Sequence, residues 1–243
     1  MNIVIKAVKA IDVSFYSLIF KILSYHLKNE RNMTPLDIVS SRRAFKRQFN
    51  LRELYRALTD VPKAALTLAK NNKTELVNKN FIERLQLTVT EVNGCAACSY
   101  QHTKMALRQG MSSEEISSFL SGGDEFIRAD EAKAILFAQH FADSKGFPKQ
   151  YAYDAIVKEY GVEQASVILS AVQLILAGNM YGIPLSAFQS RCQGKTYKDS
   201  SFFYELGMLV GGIFCLPVAL VHGIITGLIE PLSGRFDESP IEQ

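Results

Sequence analysis

The sequence predicts an all-α protein, and three observations predict it. Apolar residues recur at three- and four-residue spacing in one segment after another. No stretch alternates apolar and polar residues as a half-buried strand does. With only 7 Pro and 15 Gly in 243 residues, long runs are free of backbone breakers. Apolar residues at 48% and charged residues at 21% are ordinary for a globular protein, which excludes a disordered, collagenous or disulfide-scaffold chain. A net charge of +3 is too small to point to nucleic acid, so no nucleic-acid partner is expected.

The elements follow in order. Over 3–27, Ile5, Val8, Ile11, Phe15, Leu18, Ile19 and Ile22 share helical spacing, and Lys6, Lys9, Lys21 and Lys28 make the segment basic. It reads as a packing arm or as a helix on a membrane surface. Asp12 and Lys21 bracket its apolar stretch and no clear small-residue cleavage site follows, so a cleaved signal is not expected. Thr34-Pro35 is a helix start. Arg42, Arg43, Lys46, Arg47, Arg52 and Arg56 then read as a solvated helix face, or as a contact for anionic lipid. Leu76–Val92 forms a helix that Asn93-Gly94 breaks. Cys95–Gln109 forms the next, closed by Gly110. Ser112 and Glu115 make a capping box for a short helix to Leu120. Asp130 caps 131–144, Pro148 opens 149–160, Gly161 ends it, and Val162–Gly178 is a last apolar helix.

Residues 189–201 read as a polar linker. Beyond them, positions 206–229 hold no Asp, Glu, Lys or Arg. Roughly 20 such residues suffice to span a bilayer. Gly207/Gly211 and Gly223/Gly227 have the spacing of close helix contacts in a membrane. Arg191, Lys195 and Lys198 before the segment would keep the body cytoplasmic. Pro217 favours the alternative of two shorter helices that bend at Leu216-Pro217 and pack between subunits, with His222 a core or interface histidine. The expected organisation is a helical extension (1–70), a core (71–188), a linker (189–201) and an apolar helical segment with its tail (202–243).

Chemistry concentrates in Glu83, Cys95, Cys98 and His102. Cys95, Cys98 and His102 stand at i, i+3 and i+7, on one face of a helix. Asn93-Gly94 puts Cys95 at the helix start, where unpaired N–H groups favour a thiolate. His102 can take a thiol proton, and Glu83 on the preceding helix can orient the imidazole. This set suits redox thiol chemistry: one thiolate attacks a peroxide, and its neighbour condenses with the sulfenic acid to a disulfide. A zinc site would need a fourth ligand. A purely structural disulfide is not expected over so short a loop in a reducing compartment, the default setting for this C-x-x-C. Two inert core cysteines are the remaining alternative. Cys192 and Cys215 lack acid–base neighbours and read as structural.

Glu83-x11-Cys95-x2-Cys98-x3-His102, in the context V-N-G-C-A-A-C-S-Y-Q-H-T and with Gly110-Met111-Ser112 and Glu114-Glu115-Ile116 following, resembles the signature of AhpD-like alkylhydroperoxidases of the carboxymuconolactone decarboxylase superfamily. The resemblance covers about 75–188. It implies an AhpD-like bundle of short helices, homo-oligomeric as a trimer or hexamer. It also implies a cofactor-free, metal-free thiol peroxidase that takes a hydroperoxide and an external dithiol reductant. In its terms Cys98 attacks the peroxide, Cys95 resolves, and Glu83 and His102 relay protons; helix position alone favours Cys95 as the more acidic thiol. Ala97 stands where the best-known peroxidases of the family carry a histidine. Tyr100, Gln101 and Asn179 are further candidates to line the site. Two other functions fit the residues: a lactone decarboxylase, for which a redox dithiol is unnecessary, and a membrane-associated redox sensor or scaffold, motivated by 206–229.

Overall fold

Asn50 starts the first helix, α1 (Leu51–Thr74). Its side-chain oxygen accepts from the Glu53 amide at 3.0 Å, and the Glu53 carboxylate accepts from the Asn50 amide at 2.8 Å. Such a reciprocal box contributes about 1 kcal/mol. The computed structural model describes residues 45–229 and 236–237, all within one compact unit. The basic arm at 3–27, the start at Thr34-Pro35, and Arg42 and Arg43 lie outside the described residues.

The helices are α1, α2 (Lys79–Asn93), α3 (Ala96–Arg108), α4 (Ser113–Ser121), α5 (Ala132–Asp143), α6 (Gln150–Cys192) and α7 (Phe202–Ile229). Among the described residues there is no strand beyond an isolated bridge between Lys149 and Asp237. The all-α expectation holds. The long helix α6 is central: α1, α7, α2, α5 and α3 all pack on it. Its buried Ala165, Ile168, Val172, Leu176, Met180 and Ile183 form the spine of the core.

Several boundaries differ from the sequence reading, each for a physical reason. Helix α1 runs across the 70/71 boundary and packs along both α6 and α7. The chain turns only at Glu75, and buried Asn71 fixes that turn by bonding both backbone groups of Val77 at 2.8 and 2.9 Å. Helix α2 starts three residues late, because Asn78 caps it through the Asn80 amide. The basic stretch is not one solvated helix face. Lys46 and Arg47 precede α1; Lys46 bonds the Glu91 carbonyl at 2.8 Å and its carboxylate, and Arg47 pairs with Asp143. The Arg56 guanidinium lies 3.2 Å from the centroid of the Phe147 ring. Ser112 caps α4 as expected, but the carboxylate of Glu115 accepts from Arg84 at 3.0 Å instead of closing the box. Asp130 does not cap α5, whose first residue follows Glu131.

Gly161, at φ 76° and ψ 162°, breaks α6 where the sequence placed a helix end. Beyond it the helix passes Gly178 and Pro184 and consumes the start of the expected linker, ending at Cys192. Pro184 removes one helical hydrogen bond. Burial of Met180, Ile183, Leu185 and Ala187 outweighs that loss, since each large apolar side chain contributes about 1.5–3 kcal/mol.

Helix α7 is continuous through Pro217 and lies along the body. Gly223 meets the Thr59 carbonyl so closely that a Cβ there would collide with backbone. A Cβ on Gly211 would stand 2.6 Å from the Leu51 side chain, while Gly207 and Gly227 face open space. The glycines expected to mediate bilayer contacts are therefore divided: the middle of α7 uses its own for packing within the chain. Arg191, expected to mark a cytoplasmic flank, holds the fully buried Glu205 at 2.7 and 2.9 Å. His222 is exposed and meets the Tyr55 hydroxyl at 3.0 Å across α1.

Candidate functional site

The site is built on the α2–α3 hairpin. Gly94 closes α2 in the left-handed region at φ 72°, with its amide bonded to Thr90 O at 2.8 Å. A Cβ there would also sit 2.7 Å from the Lys46 stem, so this turn needs glycine for conformation and for space. One residue later Cys95 is the N-cap of α3, and its sulfur accepts from the Cys98 amide at 3.2 Å. Cys95 and Cys98 are joined as a disulfide. Their surroundings differ: Cys95 is 0% exposed, whereas Cys98 is only partly covered.

His102 lies one turn beyond Cys98, and its Nδ1 stands 2.6 Å from Glu83 Oε1. The Glu83 side chain is 2% exposed and the His102 side chain 13%. The carboxylate is thus held inside α2's buried face, and the imidazole that it orients is at the rim. The structure brings the four predicted residues onto one hairpin.

The floor of the site comes from α6. A Cβ on Gly182 would meet Cys95 Sγ at 2.7 Å and Cys98 Sγ at 2.8 Å. One turn on, Ser186 Oγ accepts from the Ala97 amide at 3.1 Å and donates to Gly182 O at 2.7 Å. These residues lie far along the chain from the motif, on α6. Nothing in the local sequence marks them beyond a glycine inside an apolar helix. Asn179 does not line the site: it is fully buried and ties α6 to α2 through Thr90 Oγ1 and Val89 O, both at 3.3 Å. Tyr100 and Gln101 are half-buried on α3, with the Lys104 ammonium 4.4 Å from the Tyr100 ring centroid. Cys192 is exposed and Cys215 half-buried, and both are free thiols.

Behind Glu83, its neighbour Arg84 is 1% exposed. Its Nε bonds Glu131 at 2.6 Å and its Nη1 bonds Glu115 at 3.0 Å. Burial opposes the guanidinium charge, but the hydrogen bonds and negative charges of Glu131 and Glu115 outweigh it, so its pKa stands above the ordinary value. Arg84 thereby joins α2 to α4 and to the start of α5. Adjacent positions on α2 split the work: Glu83 meets His102 of α3, and Arg84 meets the neighbouring helices.

Over 126 residues the chain is 24% identical to the uncharacterized protein YdfG of Bacillus subtilis (strain 168), a match that covers 51% of this chain and 85% of that one. No solved structure matches significantly. The model of the carboxymuconolactone decarboxylase family matches residues 52–139, a span that begins in α1, earlier than the resemblance suggested, and includes Glu83, Cys95, Cys98 and His102. Over that stretch, under half of its length, the chain is similar to the carboxymuconolactone decarboxylase family.

Proposed function

We propose that this protein is a cofactor-free thiol peroxidase of the AhpD-like type, reducing hydroperoxides through Cys98 and Cys95. The observation that carries the reading is the asymmetric pair beside a buried Glu83–His102 couple. Cys98 is the sulfur a peroxide can reach. Its thiolate attacks the distal peroxide oxygen, the O–O bond breaks, and His102 as imidazolium gives the departing alkoxide a proton. Cys98 is now a sulfenic acid and the peroxide has become an alcohol. Cys95 attacks the Cys98 sulfur; the disulfide forms, and the sulfenic oxygen leaves as water with the second thiol proton. An external dithiol resets the pair by attacking Cys98, the accessible sulfur. Cys95 then leaves as a thiolate, supported by the Cys98 amide and the α3 N-terminus, and the reductant's second thiol displaces Cys98 and departs as the reductant's own disulfide. This division reconciles the two sequence readings: the thiolate favoured by the helix start is the leaving group.

The test is a thiol count on reduced, desalted protein before and after one equivalent of an organic hydroperoxide. The four thiols should fall to two, with Cys95 and Cys98 linked in peptide maps. Glu83→Gln should slow that oxidation by about 10²-fold, the low end for a lost general acid–base group. Retention of four thiols by the wild type would sink the peroxidase reading and leave the decarboxylase and sensor alternatives.

The reading extends to where the enzyme works. Two described helices are long and apolar enough to cross a membrane. One, α6, is the core helix. The other, α7, has only 28% of its most apolar window buried. Its outer face presents Phe203 at 83% and Phe214 at 73% exposure, in line with Val210, Val218, Val221 and Ile225, and no Asp, Glu, Lys or Arg lies between Glu205 and Glu230. Because α7 packs on α1 along its inner side, the reading is a helix lying on a lipid surface with the body above it. Wild-type protein should float with vesicles of neutral phospholipid, and the Phe203→Asp/Phe214→Asp variant should stay in the dense fraction. Equal flotation of both, or none by the wild type, would end the membrane reading. A wild type that stays dense and self-associates, while the variant is monomeric, would assign the face to a second copy.

A further inference from the structure

Gly182 lies outside the family-matched span and outside every motif in the sequence. Yet a Cβ there would meet both sulfurs of the pair, at 2.7 and 2.8 Å. Real Cβ atoms essentially never come within 3.0 Å of a non-bonded heavy atom. We propose that Gly182 is a positioning residue that sets the stability of the Cys95–Cys98 disulfide, by leaving room for the joined sulfurs against α6. The inference rests on the redox reading of the pair and adds to it what fixes the dithiol–disulfide balance.

The effect of a methyl group here depends on which partner can yield. Helix α6 is held at this level by the burial of Met180, Ile183 and Leu185, and by the hydrogen bond from the Ala97 amide to Ser186 Oγ. It cannot recede without opening the core and breaking that bond. The joined sulfurs cannot separate, and Cys95 is enclosed at 0% exposure. In the dithiol the constraint relaxes. Cys98, on the partly covered side, regains its own χ1 rotation and can turn its sulfur away from α6. A methyl group at position 182 therefore weighs on the disulfide more than on the dithiol. Two electrons and two protons separate these states, and a glutathione couple supplies or accepts them without any peroxide.

The same helix supplies the control. Gly178 lies one turn earlier, and a Cβ there would meet nothing within 4 Å. Gly→Ala at either site raises helix propensity equally, so a difference between the variants reports the sulfur contact alone.

The experiment equilibrates the full chain with reduced and oxidised glutathione at a series of ratios and measures the fraction of Cys95–Cys98 disulfide by alkylation and mass. The Gly182→Ala equilibrium should shift at least tenfold toward the dithiol, about 30 mV for a two-electron couple. Gly178→Ala should track the wild type. Melting temperatures of the oxidised and reduced forms give a second readout, in which Gly182→Ala lowers that of the oxidised form more. A Gly182→Ala protein that folds only when reduced supports the proposal. One that unfolds equally in both states, or shifts no more than Gly178→Ala, overturns it. A wild type that titrates normally with glutathione yet ignores hydroperoxide would sink the peroxidase reading while leaving the Gly182 comparison decisive. A wild type that forms no disulfide at any ratio would overturn both.

Discussion

Cys98→Ser is expected to abolish hydroperoxide turnover, while Cys95→Ser reacts once and stops. The two variants separate because the sulfurs differ in access, not in distance from the acid–base pair alone. Serine at 98 leaves Cys95, fully enclosed between the α2–α3 turn and Gly182, as the sole thiol of the pair. A peroxide cannot align its O–O bond on a sulfur that solvent does not touch. Serine at 95 leaves the partly exposed Cys98 next to His102, so the first step proceeds and no resolving thiol follows. Intact mass should show one added oxygen in Cys95→Ser after one equivalent of peroxide, and none in Cys98→Ser. Peroxide consumption should be zero in Cys98→Ser and stoichiometric in Cys95→Ser. The reverse pattern would exchange the two assignments, and sustained turnover by either single variant would end the dithiol mechanism.

The parts of this molecule legible in sequence are those whose physics is local. A C-x-x-C after Asn-Gly, with a histidine four residues on, fixes its own geometry once the segment is helical, because 3.6 residues per turn leaves no freedom in which side chains share a face. The Gly94 stop, the Ser112 cap and the Gly161 break are also set within a few residues. What stayed hidden depends on the fold. Asn78 caps α2 in place of an earlier start, Asn179 turns to α2 and not to the thiols, and Glu115 and Glu131 leave the roles a helix start suggests to meet Arg84. Helix α6 outlasts Gly178 and Pro184 because the far end of the core continues to cover it, and local propensity cannot report that. The floor of the site is the sharpest instance, since Gly182 matters only through sulfurs brought to it by tertiary packing.

Arg84→Met is expected to lower stability by about 3–5 kcal/mol, the cost of breaking a buried ion pair by removing one partner. The side chain is 1% exposed and is the shared cation of Glu131, itself 4% exposed, and of Glu115. Methionine fills much of the volume and leaves two carboxylates facing each other without a counter-charge. At roughly 2–4 °C per kcal/mol for a chain of this size, the melting temperature should fall by about 6–20 °C near pH 7. A double variant, Arg84→Met/Glu131→Leu, removes the stranded charge and should recover a large part of the loss, because apolar replacement of a whole buried pair is often neutral or better. Thiol oxidation by hydroperoxide, measured well below the melting point, should survive in the double variant, since Glu83 and His102 make their bond without Arg84. A double variant no more stable than the single would show that packing and not charge sets the strength of the α2–α4–α5 junction.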